Sequence, residues 1–273
     1  MEFRHPSDED LSLGTPIPVW SGPVCARRGD TVDAAQLGLG PANSALCRAC
    51  RLAPPPFVHA VAYGPYQGRM KDAIHALKYD RLHPAAHGLG RMLAESIAQL
   101  AAEARAELLV VPVPLHRTKL GQRGFNQARS LATHALRFLS KTHSQWRLTM
   151  ASSTLMRLRA TESQAGLTPH MRRVNLRGAF SVSDPSAVKR KHVLVIDDIF
   201  TTGATARAAA QALLKAGAAS VWVATLARAR RLNNSGRGNF IQDADDIEQI
   251  AGDAPAAVMQ EAGRLSSQDQ PSF

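Results

Sequence analysis

Apolar residues along the chain fall into two recurring patterns: short unbroken runs rich in β-branched side chains, and longer stretches in which apolar positions recur three and four apart. The unbroken runs predict strands buried on both faces of a parallel sheet. They lie at Leu108 to Val113, at Val193 to Ile196 and at Ser220 to Leu226, and one or two shorter strands with a Gly64-Pro65 turn are expected between Phe57 and Tyr66. The spaced stretches predict amphipathic helices. One runs from Arg69 to Tyr79, with Met70, Ala73, Ile74 and Leu77 on one face and Lys71, His75 and Lys78 toward the other. A second follows Pro84, from about Ala85 to Ala104, through Leu89, Met92, Leu93, Ile97 and Leu100, and a third carries Ala128, Leu131, Ala132, Ala135, Leu136 and Leu139. An Ala-rich helix runs to Lys215 and stops at Gly217. Strands alternating with helices predict the α/β class, a parallel sheet flanked by helices, with the first two helices as a cap on it.

The regions without periodicity set the domain limits. Residues 1–22 mix Pro, Ser, Asp and Gly and are expected to be disordered. Residues 23–56 form a cysteine module closed by the stiff Pro54-Pro55-Pro56 spacer, residues 57–231 the main domain, and residues 232–273 a mostly disordered acidic tail with a short helix near Asp245 to Ile250. Charge sharpens this division: the chain of 273 residues carries +11, but the part from Arg231 onward is −4 and the remainder +15. A basic body of that kind suits an anionic partner: nucleic acid, a membrane surface or a phosphorylated small molecule. Met1 to Trp20 holds Glu2, Asp8, Glu9 and Asp10 and no continuous apolar core, so a secretory signal is not expected. No run of about 18 apolar residues predicts a membrane span. Three cysteines, an odd number, do not suggest a disulfide framework, and the reading is a cytoplasmic protein.

The candidate chemistry concentrates in Lys191 to Lys215, KHVLVIDDIFTTGATARAAAQALLK. An apolar strand ends in Asp197 and Asp198, and the loop Thr201, Thr202, Gly203, Ala204, Thr205 then opens the Ala-rich helix. A turn of successive N–H groups before a helix N-terminus cradles a phosphate, and the three threonine hydroxyls add donors. Two carboxylates cannot face that phosphate without repulsion, so they suit a sugar diol or a hydrated Mg²⁺. A P-loop is disfavoured because the chain lacks G-x-x-x-x-G-K-[ST]. The stretch resembles the phosphoribosyl-pyrophosphate (PRPP) motif of type I phosphoribosyltransferases. That resemblance implies that Thr201 to Thr205 hold the 5′-phosphate and that Asp197 and Asp198 contact the ribose.

Upstream, the loop after the Leu108 strand carries Arg117, Lys119 and Arg123 with Gly121 and Gly124, at the sheet edge where open α/β folds bind ligands. These cations are expected to neutralise pyrophosphate. The segment Leu155 to Phe180 is again cationic, with Arg157, Arg159, Arg172, Arg173 and Arg177, and reads as a mobile loop. Cys47-x-x-Cys50 has the spacing of a zinc knuckle, and Cys25 belongs with it, but Arg28 stands where a fourth cysteine would complete the set. A guanidinium cannot bind zinc; only Asp30 or His59 lies near enough in sequence to substitute. Bound Zn²⁺ is therefore doubtful, and the module reads as a degenerate zinc finger.

The segments IHALKYDRLHPAAHGLG, VPVPLHRTKLGQRGFNQARSLA, RATESQAGLTPHMRRVNLRGAF and HVLVIDDIFTTGAT, in this order behind the cysteine module, resemble the ComF/GntX family of competence proteins across about residues 24 to 228. The resemblance implies a type I phosphoribosyltransferase fold, PRPP and Mg²⁺ as ligands, and the Leu155 to Phe180 segment as a hood closing over PRPP. It further implies a role in DNA uptake during natural transformation, with single-stranded DNA and a helicase-like component of the uptake machinery as partners. The expected function is PRPP binding in that setting. The alternative is an active phosphoribosyltransferase that transfers ribose 5-phosphate to a nitrogen nucleophile, with Asp198 the candidate base by position.

Overall fold

The computed structural model describes residues 24–30, 32, 46–79, 83–159, 176 and 178–229. The expected disordered N-terminus, the acidic tail with its short helix, and most of the expected hood lie outside the described residues.

A five-stranded parallel sheet forms the centre, in the order β1-β7-β6-β2-β3. Its strands are β1 (Ala60–Pro65), β2 (Glu107–Pro112), β3 (Arg147–Met150), β6 (His192–Phe200) and β7 (Ser220–Arg228). Strands β4 (Leu155–Arg157) and β5 (Phe180–Val182) make a separate antiparallel ribbon. The helices are α1 (Arg48–Leu52), α2 (Gly68–Tyr79), α3 (His83–Ala98), α4 (Arg117–Arg123), α5 (Gln127–Thr142), α6 (Pro185–Val188) and α7 (Ala204–Lys215).

The two central strands, β6 and β7, carry long apolar runs because both their faces are covered, and their period of two sorts the side chains into two cores. Leu194, Ile196, Trp222, Ala224 and Leu226 pack with α2, α3 and α5 through Met70, Ile74, Leu77, Leu89, Leu93, Leu131 and Leu139. Val193, Val195, Val221 and Val223 pack on the other side with Ala209, Ala210 and Leu213 of α7. The Ala-rich composition of α7 lets it lie close to the sheet, while the Leu-rich helices opposite fill a deeper layer.

The structure departs from the sequence expectation at both edges of the sheet and at the end of the second helix. Residues Ala60–Pro65 are one strand without a turn at Gly64-Pro65. Pro65 is tolerated there because β1 pairs only with β7 and is an edge strand. The second helix ends at Ala98, and the chain to residue 103 continues in turns. Strand β3 was not expected, since RLTM is short and polar; it pairs with β2 at the opposite edge, where alternate residues remain exposed.

Helices α3 and α5 meet at Gly90, where an added methyl would lie 2.3 Å from the Cβ of His134. We expect Gly90→Ala to force the pair apart and lower stability by about 1–3 kcal/mol. Thermal melts check this; an unchanged midpoint would show that the two helices are not held at this spacing.

Candidate functional site

Strand β6 does not end at the acidic pair but continues through it to Phe200. The strand period therefore sends the two carboxylates to opposite faces. Asp198 shares parity with Leu194 and Ile196 and meets the α2/α5 layer: Lys78 Nζ lies 2.9 Å from its Oδ2, Gln127 Nε2 donates to the same oxygen at 3.5 Å, and the Ile199 N–H donates to Oδ1 at 2.8 Å. Asp197 shares parity with Val195 and lines a small cleft with Thr201, Gly203, Thr205 and Thr225. It also accepts the Asp198 N–H at 3.0 Å.

These surroundings separate the two groups electrostatically. Burial, followed by the Asp198 charge, pushes the Asp197 carboxyl well above the usual carboxylate range. Burial also works against ionised Asp198, but the charge and hydrogen bond of Lys78 outweigh it and hold that carboxyl below its ordinary value, with Arg123 adding to the effect. Lys78 was expected only as part of a polar helix face. Its position opposite Ile74 and Leu77 gives no signal until α2 is packed on the strand.

The threonine loop sits on an aromatic floor. Gly203 adopts φ 74°, and an added methyl there would stand 2.5 Å from Phe200 Cζ, so both conformation and space demand glycine. The Ala204 N–H is taken by Thr202 Oγ1 at 3.3 Å, and α7 starts with no side-chain cap at Gly203. Below the loop, Phe200 meets Phe57 edge to face at 6.1 Å, with the Arg228 guanidinium 4.0 Å from its ring centre. Arg28 is 3% exposed and its Nη2 donates to the Thr202 carbonyl at 2.9 Å. Asp30 joins the two cations, with Oδ2 3.4 Å from Arg28 Nε and Oδ1 bonded to Arg228 Nη1. Burial pushes the Arg228 guanidinium down to about 10, and the Asp30 carboxylate opposes this. The residue that interrupts the cysteine set thus supports the phosphate-type loop.

The cationic loop after β2 is a short helix, α4, rather than a Gly-rich coil. His116 caps its start, accepting from the Thr118 N–H at 3.4 Å, and Gly124 closes it in the left-handed conformation at φ 76°. Gly121 lies inside the helix, so only Gly124 uses its conformational freedom. Asn126 ties the loop to the sheet by donating to the Val113 carbonyl at 2.9 Å and capping α5 through Arg129 N–H. Because Val113 N–H bonds Ile196 O, α4 leaves β2 beside the acidic pair. Arg123 acts on Asp198, while Arg117 is exposed and Lys119 half-buried on the same helix. Arg157 of β4 is a further cation near the pair: burial lowers its basicity and the Asp197 charge opposes that loss. Of the expected hood cations, Arg157 and Arg159 are described, and Arg172, Arg173 and Arg177 lie outside the described residues.

Cys25, Cys47 and Cys50 are buried with their sulfurs within 4.8 Å of one another. Hydrogen bonds with Cys47 and then Cys50 lower the Cys25 thiol, and those with Cys25 and then Cys47 raise Cys50. A structural zinc site needs a fourth protein donor. Arg28 turns to Thr202, His59 is bonded to Glu103 at 3.2 Å, and Asp30 Oδ2, 4.0 Å from Cys47 Sγ, is held by Arg28. The described residues therefore fit three zinc ligands and not a closed set of four.

A parallel sheet with an acidic pair and a threonine loop at its C-terminal edge defines a type I phosphoribosyltransferase-like domain. Comparisons agree: the phosphoribosyl transferase domain family model matches residues 127–254. DNA utilization protein YhgH of Escherichia coli K12 is 35% identical over 210 residues, 75% of this chain and 88% of that protein. Competence protein F of Haemophilus influenzae is 27% identical over 186 residues, 67% of this chain and 78% of that protein. The hypoxanthine-guanine phosphoribosyltransferase of Schistosoma mansoni, solved in complex with IMP, has 20% identity and a TM-score of 0.34. That match covers 58% of this chain and 63% of the schistosome protein, less than two thirds of its length. The chain belongs to the ComF family of phosphoribosyltransferase-like proteins.

Two outcomes follow from this geometry. Arg28→Met removes one partner of a buried ion network and is expected to cost about 3 kcal/mol in denaturant unfolding; a loss near zero would mean that the loop does not depend on it. Metal analysis after passage over a chelating resin is expected to return well under one zinc per chain, and one retained equivalent would show that a fourth ligand is recruited.

Proposed function

We propose that this protein binds PRPP at the C-terminal edge of its sheet and acts in DNA uptake during natural transformation. One observation carries the ligand reading: Asp197, Thr201, Gly203 and Thr205 line a single cleft at the start of α7. In this reading Thr201, Thr202, Gly203, Ala204 and Thr205 hold the 5′-phosphate with main-chain donors, hydroxyls and the positive helix end. Asp197 faces the ribose from the cleft, Asp198 holds Lys78 on the helix side of the strand, and Arg117, Lys119 and Arg123 neutralise the pyrophosphate. Asp197 offers a hard oxygen donor of the kind that suits Mg²⁺, which when bound would offset pyrophosphate charge. Support for the DNA role comes from the relatives' names, DNA utilization and competence, and from the basic body of the chain. Single-stranded DNA and a helicase-like component of the uptake machinery are the proposed partners. Among the described residues, no helix is long and apolar enough to cross a membrane.

A second reading, turnover of PRPP with a nitrogen nucleophile and pyrophosphate as leaving group, is favoured by the pKa separation of the pair. Lys78 holds Asp198 ionised and weakens it as a base, whereas raised Asp197 is the better proton acceptor near neutral pH. In this reading the proton acceptor is Asp197, and Asp198 with Lys78 holds the pair in place.

Calorimetric titration of PRPP with and without Mg²⁺ tests the binding. Saturable, Mg²⁺-dependent heat is expected from the wild type and none from Asp197→Asn. The same variant is expected to be more stable at pH 7 by about 1 kcal/mol, because the fold disfavours an ionised carboxylate at this position. The raised folded-state value means that the cost is full above it and disappears as pH falls through it toward the unfolded carboxylate range. The stability gap should therefore close on acidification. Absence of PRPP binding by the wild type would overturn the ligand reading.

A further inference from the structure

The opposite edge of the sheet carries a second feature that the PRPP reading does not use. At the N-terminal ends of β2, β3 and β6 lies a cleft of about 690 Å³, lined by Arg105, Glu107, Thr149, Arg190, Lys191 and His192 over a floor that includes Leu108 and Leu109. Arg147 adds to it, paired in register with Glu107 across β2 and β3 and acting on its charge. Four permanent cations and a histidine thus surround one carboxylate. Among the described residues Glu107 is the only acidic side chain that lines the cleft, and it is matched by Lys191 at 3.1 Å. Arg105, Arg147 and Arg190 are exposed.

Arg190 gives an independent sign of use. Among the described residues it is the one non-glycine residue with positive φ, at 60°, and its N–H donates to the Gly217 carbonyl at 2.8 Å. An L side chain in the left-handed region costs about 1–2 kcal/mol, and glycine would avoid it. A strained arginine at the mouth of a basic cleft is the kind of outlier that accompanies a ligand contact.

We propose that this cleft is the single-stranded DNA surface of the protein, a phosphate-tracking groove separate from the PRPP motif. It is concave, which admits one flexible backbone rather than a duplex cylinder. Arginines supply forked donors for successive phosphates, and the apolar floor receives sugar and base edges. Among the described residues no Phe, Tyr or Trp lines it, so binding is governed by phosphate charge and is indifferent to base sequence. Strand β6 spans nine residues from His192 to Phe200, which puts the groove about 26 Å from the threonine loop. One molecule can hold both ligands at once. The placement rests on the DNA part of the reading above and is independent of PRPP.

The test combines Arg105→Ala with Arg190→Gly, the second chosen because it removes charge and strain together. Anisotropy of a labelled oligo-dT of about 20 nucleotides is followed between about 50 and 200 mM salt. The double variant is expected to bind about tenfold more weakly, and its slope of log affinity against log salt should be shallower by about 1.4, two contacts at about 0.7 each. Arg190→Gly alone should melt at or above the wild-type temperature, and PRPP titration of the double variant should match wild type. Affinity for oligo-dT that stays at the wild-type level overturns the groove and leaves DNA binding elsewhere on the chain. Absent binding by the wild type overturns both the groove and the DNA role. Tighter binding of a duplex, a lower melting temperature for Arg190→Gly, or loss of PRPP binding in the double variant overturns the assignment as well.

Discussion

The contact between the ring of Phe200 and the backbone of Gly203 is the constraint on which the threonine loop depends. The ring lies so close beneath the turn that no Cβ fits, and the turn needs a positive φ at the same position. What holds the ring in turn is a set of buried groups drawn from distant parts of the chain. Phe57 meets its face edge-on, Arg228 from the end of β7 covers it, and Arg28 and Asp30 come from the N-terminal module. Two buried guanidiniums with one carboxylate between them are an expensive arrangement unless its geometry is fixed. Fixing it also fixes the Thr202 carbonyl, so the N-terminal module acts as the foundation of the threonine loop.

The other organising fact is the alternation of β6. An extended strand that continues through two adjacent carboxylates cannot present both to one ligand-sized space. One meets the helices behind the sheet and the other meets the cleft in front. The neighbour at 2.9 Å, Lys78, then decides which of them stays charged. Identical side chains one residue apart acquire different acid–base character from strand parity alone.

Much of this was legible in the sequence because buried parallel strands are continuous apolar runs and their helices keep a clean period. The two central strands, the helices α2, α5 and α7, and the threonine loop needed no tertiary information. Strand β3 was not legible, since an edge strand half exposed to solvent has no apolar run to detect. The α4 helix was hidden by Gly121 and Gly124, which read as loop residues although His116 and Gly124 are a fitting pair of caps. The roles of Arg28, Asp30, Lys78 and Arg228 were hidden more deeply. Arg28 invited comparison with the cysteine expected at its position, and the carbonyl it donates to, at Thr202, is 174 residues away and reached only through the fold. The period-two rule, applied one step past Ile196, would have separated the acidic pair.

The order of strands has a consequence for synthesis. The first strand of the sheet, β1, has a single strand neighbour, and that neighbour is the last strand, β7. A chain leaving the ribosome N-terminus first must therefore carry β1 and Phe57 without their sheet partners until Arg228 has emerged. At about 5–20 residues per second that interval is on the order of ten to thirty seconds. Throughout it an apolar strand and a bare aromatic ring are open to any passing chain. The clamp on Phe200 closes last, so the nascent protein has no finished threonine loop until nearly all of its sheet has been made.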